Sequence, residues 1–214
     1  MQVLRSLTLM MLACTCLVLA GCNQDSTSPP VVDPSPFAPR DSPERLLENL
    51  DTAYELRNVV EYDSLLAEDF EFVLSEEDQA QPGLPDSWGR VVESGLHANL
   101  FSADLVNRLE LSFEIGERFW DETASPPMWS IIISNVRLGL NGRTPGESVV
   151  MDFQIYFASA QFWFRENPWT ADGSSCPAWS IVRWEDKGGG FVARGPESLS
   201  GQRATWGSIK SLFR

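Results

Sequence analysis

The spacing of apolar residues predicts that the folded part of the chain begins with a helix. Ser42 can cap this helix, Pro43 suits its first turn, and Glu44 places a negative charge near its positive end. We expect the helix to close at Arg57 and Asn58. The apolar residues between these ends recur at helical spacing, at Leu46, Leu47, Leu50, Ala53 and Tyr54.

Two more helices and a strand are predicted before residue 101. A second, shorter helix carries Tyr62 and Leu65, and the alternating residues of 70–74 indicate a strand. Residues 75–86 are acidic and contain proline and glycine, which is typical of a loop. Ser87 is predicted to cap a third helix. The apolar face expected for that helix consists of Trp88, Val92, Leu96 and Leu100.

From residue 109 onward the apolar positions alternate with a period of two, which predicts a sheet. Asn141-Gly142 has the composition of a hairpin turn, and the polar stretch around Cys176, residues 166–177, is predicted to be a loop. Residues 198–214 are amphiphilic and predict either a short closing helix or an extended arm. The expected strands cover residues 109–115, 128–140, 149–157 and 179–185.

Residues 1–21 have the layout of a secretory signal that ends at a lipid attachment site. A short basic segment ends at Arg5, and residues 7–20 are apolar and uncharged but too short for a transmembrane helix. The sequence LAGC, which ends at Cys22, resembles the lipobox of bacterial lipoproteins. In that family the peptidase cuts before the cysteine, and the cysteine carries the lipid. The resemblance implies that Cys22 is the lipidated N-terminus of the mature chain.

A proline-rich tether is predicted to connect Cys22 to the folded domain. Residues 23–41 contain five prolines among serine, threonine and aspartate, which oppose both helix and sheet. In a polyproline-like geometry this segment reaches about 60 Å at most, and it is either a semi-rigid stalk or a tail without a mechanical role. The expected organisation is a signal at 1–21, a lipidated cysteine and tether at 22–41, and one domain at 42–214.

Charge and motif content exclude several classes of function. The chain of 214 residues has 16 Lys and Arg against 30 Asp and Glu, with a formal net charge of −14, so no nucleic acid partner is predicted. The P-loop, dinucleotide, CxxC and HExxH motifs are absent, and one histidine cannot build a multi-histidine metal site. The sequence therefore predicts neither a cofactor nor a metal. After signal removal, Cys176 would be the only unmodified cysteine, which excludes an internal disulfide.

The order of two helices, a strand, a helix and then long strands resembles the NTF2-like (SnoaL-like) superfamily. The similarity lies in the capped helix PERLLENLDTAYELRN, the following EYDSLLAEDFEFVL and the late strand WSIVRWED, and it covers roughly residues 42–187. It implies an α+β fold, the NTF2-like cone, in which a curved antiparallel sheet wraps around three N-terminal helices. Members include ketosteroid isomerases, dehydratases, polyketide cyclases and transport factors, so the resemblance alone assigns no activity.

Enzymes of this superfamily keep an acid or a base inside the cone, and the sequence offers little there. In the strand 149–157, the apolar residues are expected to face the helices, whereas Asp152 and Tyr156 are expected to face outward. Glu110 and Glu114 are likewise expected on an outward face. The interior face of the most regular strand thus carries no ionisable group, which opposes catalysis.

Two residues are candidates for catalysis, His97 and Asp63. His97 follows Leu96 directly, which places it at the edge of the buried face of the third helix. There it is either a general base at the pocket mouth or a boundary residue that makes one hydrogen bond. Asp63 flanks the second helix and either reaches a pocket or faces solvent.

Eight tryptophans are many for a chain of this size. Trp88, Trp129, Trp163 and Trp179 are predicted to line a pocket for a flat apolar ligand. The alternative is that they pack in the core or in a dimer interface.

These features together predict an exported protein that is lipid-anchored to the bacterial cell envelope. The outer membrane is favoured, because Asn23 follows Cys22 where an aspartate favours inner-membrane retention in enteric bacteria. The domain is expected to bind a small apolar ligand or a protein partner without catalysis. The alternatives are an enzyme of isomerase, dehydratase or cyclase type, and a purely structural module that forms a homodimer through its outer sheet face.

Overall fold

The computed structural model describes residues 35–80, 82–148, 150–156, 159–171, 174–188, 192–193, 209–210 and 212–213. The chain divides into two compact units, Met1–Ser35 and Pro36–Arg214, and all described residues except Ser35 belong to the second. The helices are α1 (Pro43–Leu56), α2 (Val59–Leu65), α3 (Glu76–Gln79) and α4 (Arg90–Leu100). The strands are β1 (Leu66–Val73), β2 (Ser87–Gly89), β3 (Val106–Asp121), β4 (Met128–Gly142), β5 (Met151–Tyr156), β6 (Ser159–Ala171), β7 (Ser174–Asp186) and β8 (Val192–Ala193).

Helix α1 forms where the sequence predicts it, because both of its ends are capped. The Ser42 side chain accepts a hydrogen bond from the backbone N–H of Arg45, and Arg57 closes the helix in the left-handed conformation. The helix packs against β3 and β7. Its predicted apolar face is fully buried in the core, at Leu46, Leu47, Leu50, Ala53 and Tyr54.

Helix α4 does not begin at the predicted cap. Ser87 lies in the short strand β2, where its hydroxyl donates a hydrogen bond to Glu71 of the paired strand β1. The N-cap of α4 is Gly89. Val92 is partly exposed, because it lies about 90° around the helix from the centre of the buried face. That face consists of Glu93, Leu96, His97 and Leu100.

The eight strands form one curved sheet in the order β2-β1-β7-β6-β4-β5-β8, and β3 pairs with β4. The β1–β7 pair is parallel, whereas the other pairs are antiparallel. The resemblance implied a purely antiparallel sheet. This prediction is wrong in one respect, because the β1–β7 pair makes the sheet mixed. Helices α1, α2 and α4 pack against its strands, and the predicted α+β cone around three N-terminal helices is confirmed.

The predicted turn at Asn141-Gly142 is wrong, since both residues continue strand β4. Gly142 pairs with Val106 of β3 and with β5 on its other side. A Cβ at Gly142 would collide with the backbone of Leu105 and Val106. The glycine is therefore explained by the close approach of a neighbouring chain segment and not by a turn.

The predicted loop at 166–177 is also wrong, because its described residues extend the β6–β7 hairpin. Cys176 lies within β7, where its backbone pairs with Trp169 of β6. The outward direction predicted for Asp152 is confirmed, since this side chain is exposed and forms an ion pair with Arg108. Glu110 and Glu114 are exposed as well. The side chain of Tyr156 lies outside the described residues.

The C-terminal segment contributes to the core although it follows the last long strand by more than 20 residues. Ile209, Lys210 and Phe213 are all at most 1% exposed. The backbone at Ile209 and Lys210 is helical, in agreement with the closing helix that was one of the two alternatives. The Asn99 side chain on α4 donates a hydrogen bond to the carbonyl oxygen of Phe213.

Contacts with the domain begin several residues before the expected domain start at Ser42. Phe37 packs against the core, and the buried Asn49 side chain bonds to both the N–H and the carbonyl oxygen of Ala38, at 2.8 and 2.9 Å. The carbonyl oxygen of Arg40 accepts a hydrogen bond from the N–H of Trp179 in β7. The entering segment is thus fixed to α1 and to β7.

Candidate functional site

Three of the four tryptophans predicted to line a ligand pocket lie together in one groove. Trp129, Trp163 and Trp179 line this groove together with Trp120, and we call it the tryptophan groove. Its volume is about 910 Å³, which is within the size range of small-molecule sites. Trp88 lies elsewhere, because it is buried in the core.

The tryptophan groove forms where residues 121–127 fold over strands β6 and β7. The carboxylate of Asp121 accepts hydrogen bonds from the backbone N–H and hydroxyl of Thr123, at 2.9 and 2.6 Å, and from the indole N–H of Trp163 at 2.8 Å. The hydrogen bonds from Thr123 and Trp163 hold the pKa of Asp121 below its usual value. Asp121 therefore anchors the loop as an ionised acceptor.

The walls of the groove combine apolar ring surface with charged side chains of both signs. Trp120 and Trp129 contact each other edge to face, 5.4 Å apart, and are 48% and 36% exposed. Arg183 lines the groove, and its guanidinium lies 5.1 Å from the ring centroid of Trp163. This arrangement suits a flat apolar ligand that stacks on indole rings.

A second group of polar side chains lies inside the cone, centred on Glu93 of α4. The Glu93 carboxylate accepts hydrogen bonds from the Tyr62 hydroxyl and the Trp88 indole N–H, both at 2.6 Å. The ammonium of Lys210 donates a third at 2.5 Å. We call this group, together with Tyr54 and His97, the polar centre. A fully buried carboxylate with three donors is satisfied in its hydrogen bonding.

His97 connects Glu93 to helix α1. Its Nδ1 lies 3.0 Å from the backbone carbonyl oxygen of Glu93, and its Nε2 lies 2.5 Å from the hydroxyl oxygen of Tyr54. A carbonyl oxygen only accepts, so the hydrogen is on Nδ1 and the Tyr54 hydroxyl donates to Nε2. The ring of Tyr62 stacks on the imidazole, with centroids 3.7 Å apart.

Burial determines the protonation states of the polar centre. Burial lowers the pKa of His97 from 6.5 to about 3, so its imidazole is neutral at pH 7. Burial alone would raise the pKa of Glu93, but its neighbours, of which the Lys210 ammonium has the strongest effect, together hold that pKa below its usual value. Burial lowers the pKa of Lys210 to about 8, against the attraction of Glu93. At neutral pH the centre thus contains one carboxylate and one ammonium.

The two catalytic candidates lie away from the tryptophan groove. His97 is neither at a pocket mouth nor at a boundary, because the buried face of α4 is centred on it and on its neighbours. Asp63 is half-buried on α2, and its carbonyl oxygen accepts a hydrogen bond from Arg90. One Asp63 carboxylate oxygen is buried without a hydrogen-bond partner among the described residues. A catalytic role for either residue stays a prediction.

Glu93 and Lys210 are not among the site residues predicted from the sequence. The prediction against catalysis rested only on the inner face of the strand 149–157, whereas the buried polar groups of the interior come from helices α2 and α4 and from the C-terminal segment. The spacing of Glu93 and His97 could have indicated a buried polar pair, since the two residues lie one helical turn apart on the same face. No local pattern marks Lys210 as buried, because its partner is 117 residues away.

In the described part of the chain, a cavity of about 10 Å³ lies between Leu50, Phe162 and Trp184, which has room for about one water molecule and not for a larger ligand. Among the described residues, no cluster of His, Cys, Asp or Glu could hold a metal ion. None of the described helices combines the length and the apolar character that crossing a membrane requires.

Comparison with known proteins assigns neither a family nor an activity. No protein-family model matches the sequence, and no curated protein is significantly similar to it. Among solved structures, it is similar to a conserved protein from Planctomyces limnophilus, with 17% identity and a TM-score of 0.46 over 67% of this chain and 90% of that chain. An NTF2-like protein of unknown function in nutrient uptake from Rhodospirillum rubrum has 17% identity and a TM-score of 0.38, over 65% of this chain and 92% of that chain. A ketosteroid isomerase-like protein from Erwinia carotovora atroseptica has 16% identity and a TM-score of 0.38, over 66% and 89% of the two chains.

Proposed function

We propose that this protein is a lipid-anchored protein of the bacterial cell envelope whose domain binds a flat apolar ligand without catalysing a reaction. The tryptophan groove is the observation that carries the proposal. It combines a ligand-sized volume with indole rings of which two, Trp120 and Trp129, are partly exposed. Stacking on such rings gives a flat ligand a large apolar contact.

The positions of the ionisable groups support binding rather than catalysis. Glu93, His97 and Lys210 are at most 1% exposed, so a substrate in the tryptophan groove does not contact them. Asp121 lines the groove, but its oxygens already accept hydrogen bonds from Thr123 and Trp163. Three further carboxylates in the groove wall are also bonded, since Asp69, Glu71 and Glu185 accept from Arg165, Ser87 and Lys187 respectively. Glu166 lines the groove as well. Turnover of a substrate by the purified protein would overturn this part of the proposal.

A fluorescence titration with the flat, neutral probe N-phenyl-1-naphthylamine tests the groove. We expect saturable binding that is weakened about tenfold or more by Trp120→Ala or Trp129→Ala, because each removes part of the ring surface. Val91→Ala is the matched control, since Val91 is 88% exposed on α4 and does not line the groove. Equal probe binding by all four proteins would contradict the proposal.

The same variants separate a ligand site from a dimer interface. Light scattering across a range of concentrations measures the mass of the wild type and of Trp129→Ala. A monomeric wild type that binds the probe supports the ligand site. A dimer that dissociates in Trp129→Ala, with no probe binding, would assign the groove to a second copy of the chain instead.

The anchor is supported by the sequence LAGC at Cys22 and by the proline-rich residues that follow it. We expect expression in a bacterium to give a mature chain that begins at Cys22 with the mass of attached acyl groups and fractionates with membranes. Cys22→Ser should abolish the acyl mass and the membrane fraction, whereas Cys176→Ser should change neither. A wild type without acyl mass would rule out the lipid anchor.

A further inference from the structure

The interior of the cone contains a cation site that the folded scaffold builds. Phe72 of β1 and Trp184 of β7 present their ring faces, and Glu93 of α4 presents its carboxylate. The Lys210 Nζ lies 3.8 and 3.9 Å from the two ring centroids and 2.5 Å from the carboxylate. Ring faces combined with an anion are what proteins use to recognise organic ammonium groups.

The residues that orient this site belong to the helices and strands of the scaffold and not to the segment that carries Lys210. The Glu93 carboxylate is oriented by hydrogen bonds from Tyr62 and Trp88. Trp88 also stacks on Phe72, with centroids 4.7 Å apart. Because these residues belong to α2, α4, β1 and β2, the site is complete except for its cation.

Stability alone does not explain a lysine in this position. A buried ion pair gives little net stability over an apolar pair of similar volume, since both charges lose their hydration. An empty site, however, would leave the fully buried carboxylate of Glu93 unpaired. The almost fully buried Asp186 also attracts the Lys210 ammonium. The interior therefore requires a cation but does not require that this cation belong to the chain.

We propose that the cone interior binds an organic ammonium group and that Lys210 is an intramolecular competitor for it. Lys210 fills the site in the absence of a ligand, and a ligand with an alkylammonium head group displaces it. The C-terminal segment is held by the burial of Ile209 and Phe213 and by the hydrogen bond from Asn99. These contacts would be released when the ligand enters. The site is distinct from the tryptophan groove, so the proposal does not depend on the function assigned to that groove.

The lysine content of the chain makes this exchange measurable in the wild-type protein. Lys187 and Lys210 are the only lysines in the sequence. Lys187 is one third exposed, whereas Lys210 is buried. Acetylation of the folded full chain, followed by peptide mass spectrometry, reports both amines in one sample. We expect Lys210 to react about 100-fold more slowly than Lys187, because its reaction requires local opening.

Tetramethylammonium chloride is the probe, with sodium chloride and the neutral, similarly sized tert-butanol as controls. We expect the probe to accelerate acetylation of Lys210 about tenfold or more, with saturation, and to leave Lys187 and the circular dichroism spectrum unchanged. The two controls should have no effect. A Lys210 rate that does not respond to the probe, or responds equally to a control, would overturn the proposal.

Calorimetry on Lys210→Met gives an independent readout. Removal of the competitor should tighten tetramethylammonium binding about tenfold or more relative to the wild type. The variant Glu93→Gln, which removes the anion and keeps the shape, should lose the binding. Binding of the probe that is equal in wild type and Lys210→Met would contradict competition.

Discussion

The ammonium of Lys210 lies 2.5 Å from the carboxylate of Glu93, although 117 positions separate the two residues in the chain. Neither side chain is more than 1% exposed. The ion pair joins the C-terminal segment to helix α4 and places it beside the aromatic rings of β1 and β7. The last residues of the chain therefore supply the cation that pairs with Glu93 in the interior of the cone.

Replacing Lys210 by methionine should lower the free energy of unfolding by about 3–5 kcal/mol, because it leaves the Glu93 carboxylate buried without a counter-charge. The double variant Lys210→Met/Glu93→Gln should be about 1 kcal/mol or more stable than Lys210→Met alone, because glutamine removes the buried charge that has lost its partner. Urea unfolding measures both. Lys187→Met is the control, and it should cost less than about 1 kcal/mol because its ion pair with Glu185 is partly exposed. Equal losses at the two lysines would contradict this prediction.

The buried imidazole of His97 should make the domain less stable in mild acid. Its pKa is about 3 in the folded protein and 6.5 when exposed, so between these values only the unfolded state binds the proton. The free energy of unfolding therefore falls as the pH drops through this window, by about 1.4 kcal/mol per pH unit. Between pH 6.5 and pH 5 we expect a loss of about 1–2 kcal/mol, because at pH 6.5 the exposed imidazole is already half protonated.

His97→Gln is the comparison that isolates this effect. The variant keeps a hydrogen-bonding side chain but has no proton to bind, so its unfolding free energy should be nearly flat over the same range. Carboxyl groups whose pKa is lowered, such as Asp69 and Asp121, change the free energy of unfolding only at lower pH, where they begin to bind protons in the unfolded state. Chemical denaturation at several pH values gives the two slopes, and identical slopes would refute the assignment to His97.

Asp121→Ala should loosen residues 121–127 and weaken probe binding in the tryptophan groove. The substitution leaves the Trp163 indole N–H without its acceptor, and Trp163 is only 6% exposed. We expect a loss of about 1–3 kcal/mol in the free energy of unfolding. Asp152→Ala breaks an exposed ion pair with Arg108 and should cost less than about 1 kcal/mol. Urea unfolding measures the change in stability, and the fluorescence titration measures the change in probe binding. If Asp121→Ala changes neither, Asp121 does not anchor residues 121–127.

Gly142→Ala should destabilise the sheet, because its Cβ would overlap the backbone of Leu105 and Val106. The loss should be about 1–3 kcal/mol, as for other overpacked positions. Gly95→Ala is the matched comparison, since it lies within helix α4 with nothing close to its added Cβ. It should stabilise the protein by about 0.5–1 kcal/mol. Thermal unfolding of the two variants should therefore shift in opposite directions.

The sequence predicts elements well where a local signal decides them. The cap at Ser42 and the apolar spacing from Leu46 to Tyr54 are local, and α1 has the predicted ends. The strand pattern likewise places Glu110 and Glu114 on an exposed face. The prediction of Ser87 as a helix cap is wrong because serine also occurs in edge strands, and only the pairing of β2 with β1 distinguishes the two positions.

The polar centre and the tryptophan groove depend on tertiary contacts, so only some of their residues could be predicted from the sequence. Helical spacing puts Glu93 and His97 on one face, but only the distant Lys210 and Tyr62 explain why a carboxylate is buried there. Similarly, tryptophan content predicts an aromatic site. The position of Trp129 beside Trp163 depends on the pairing of β4 with β6, and Trp163 is bonded to Asp121 at the end of β3.

The fixed position of the entering segment determines how a mechanical load on the N-terminus would reach the domain. Both backbone groups of Ala38 are bonded to Asn49, and Arg40 is bonded to Trp179. Tension along the chain would therefore shear these hydrogen bonds together, rather than peel α1 from its first turn at Ser42. The force would act on the middle of α1 and on β7, which lies inside the sheet between β1 and β6. The helix and the sheet would therefore bear the load together.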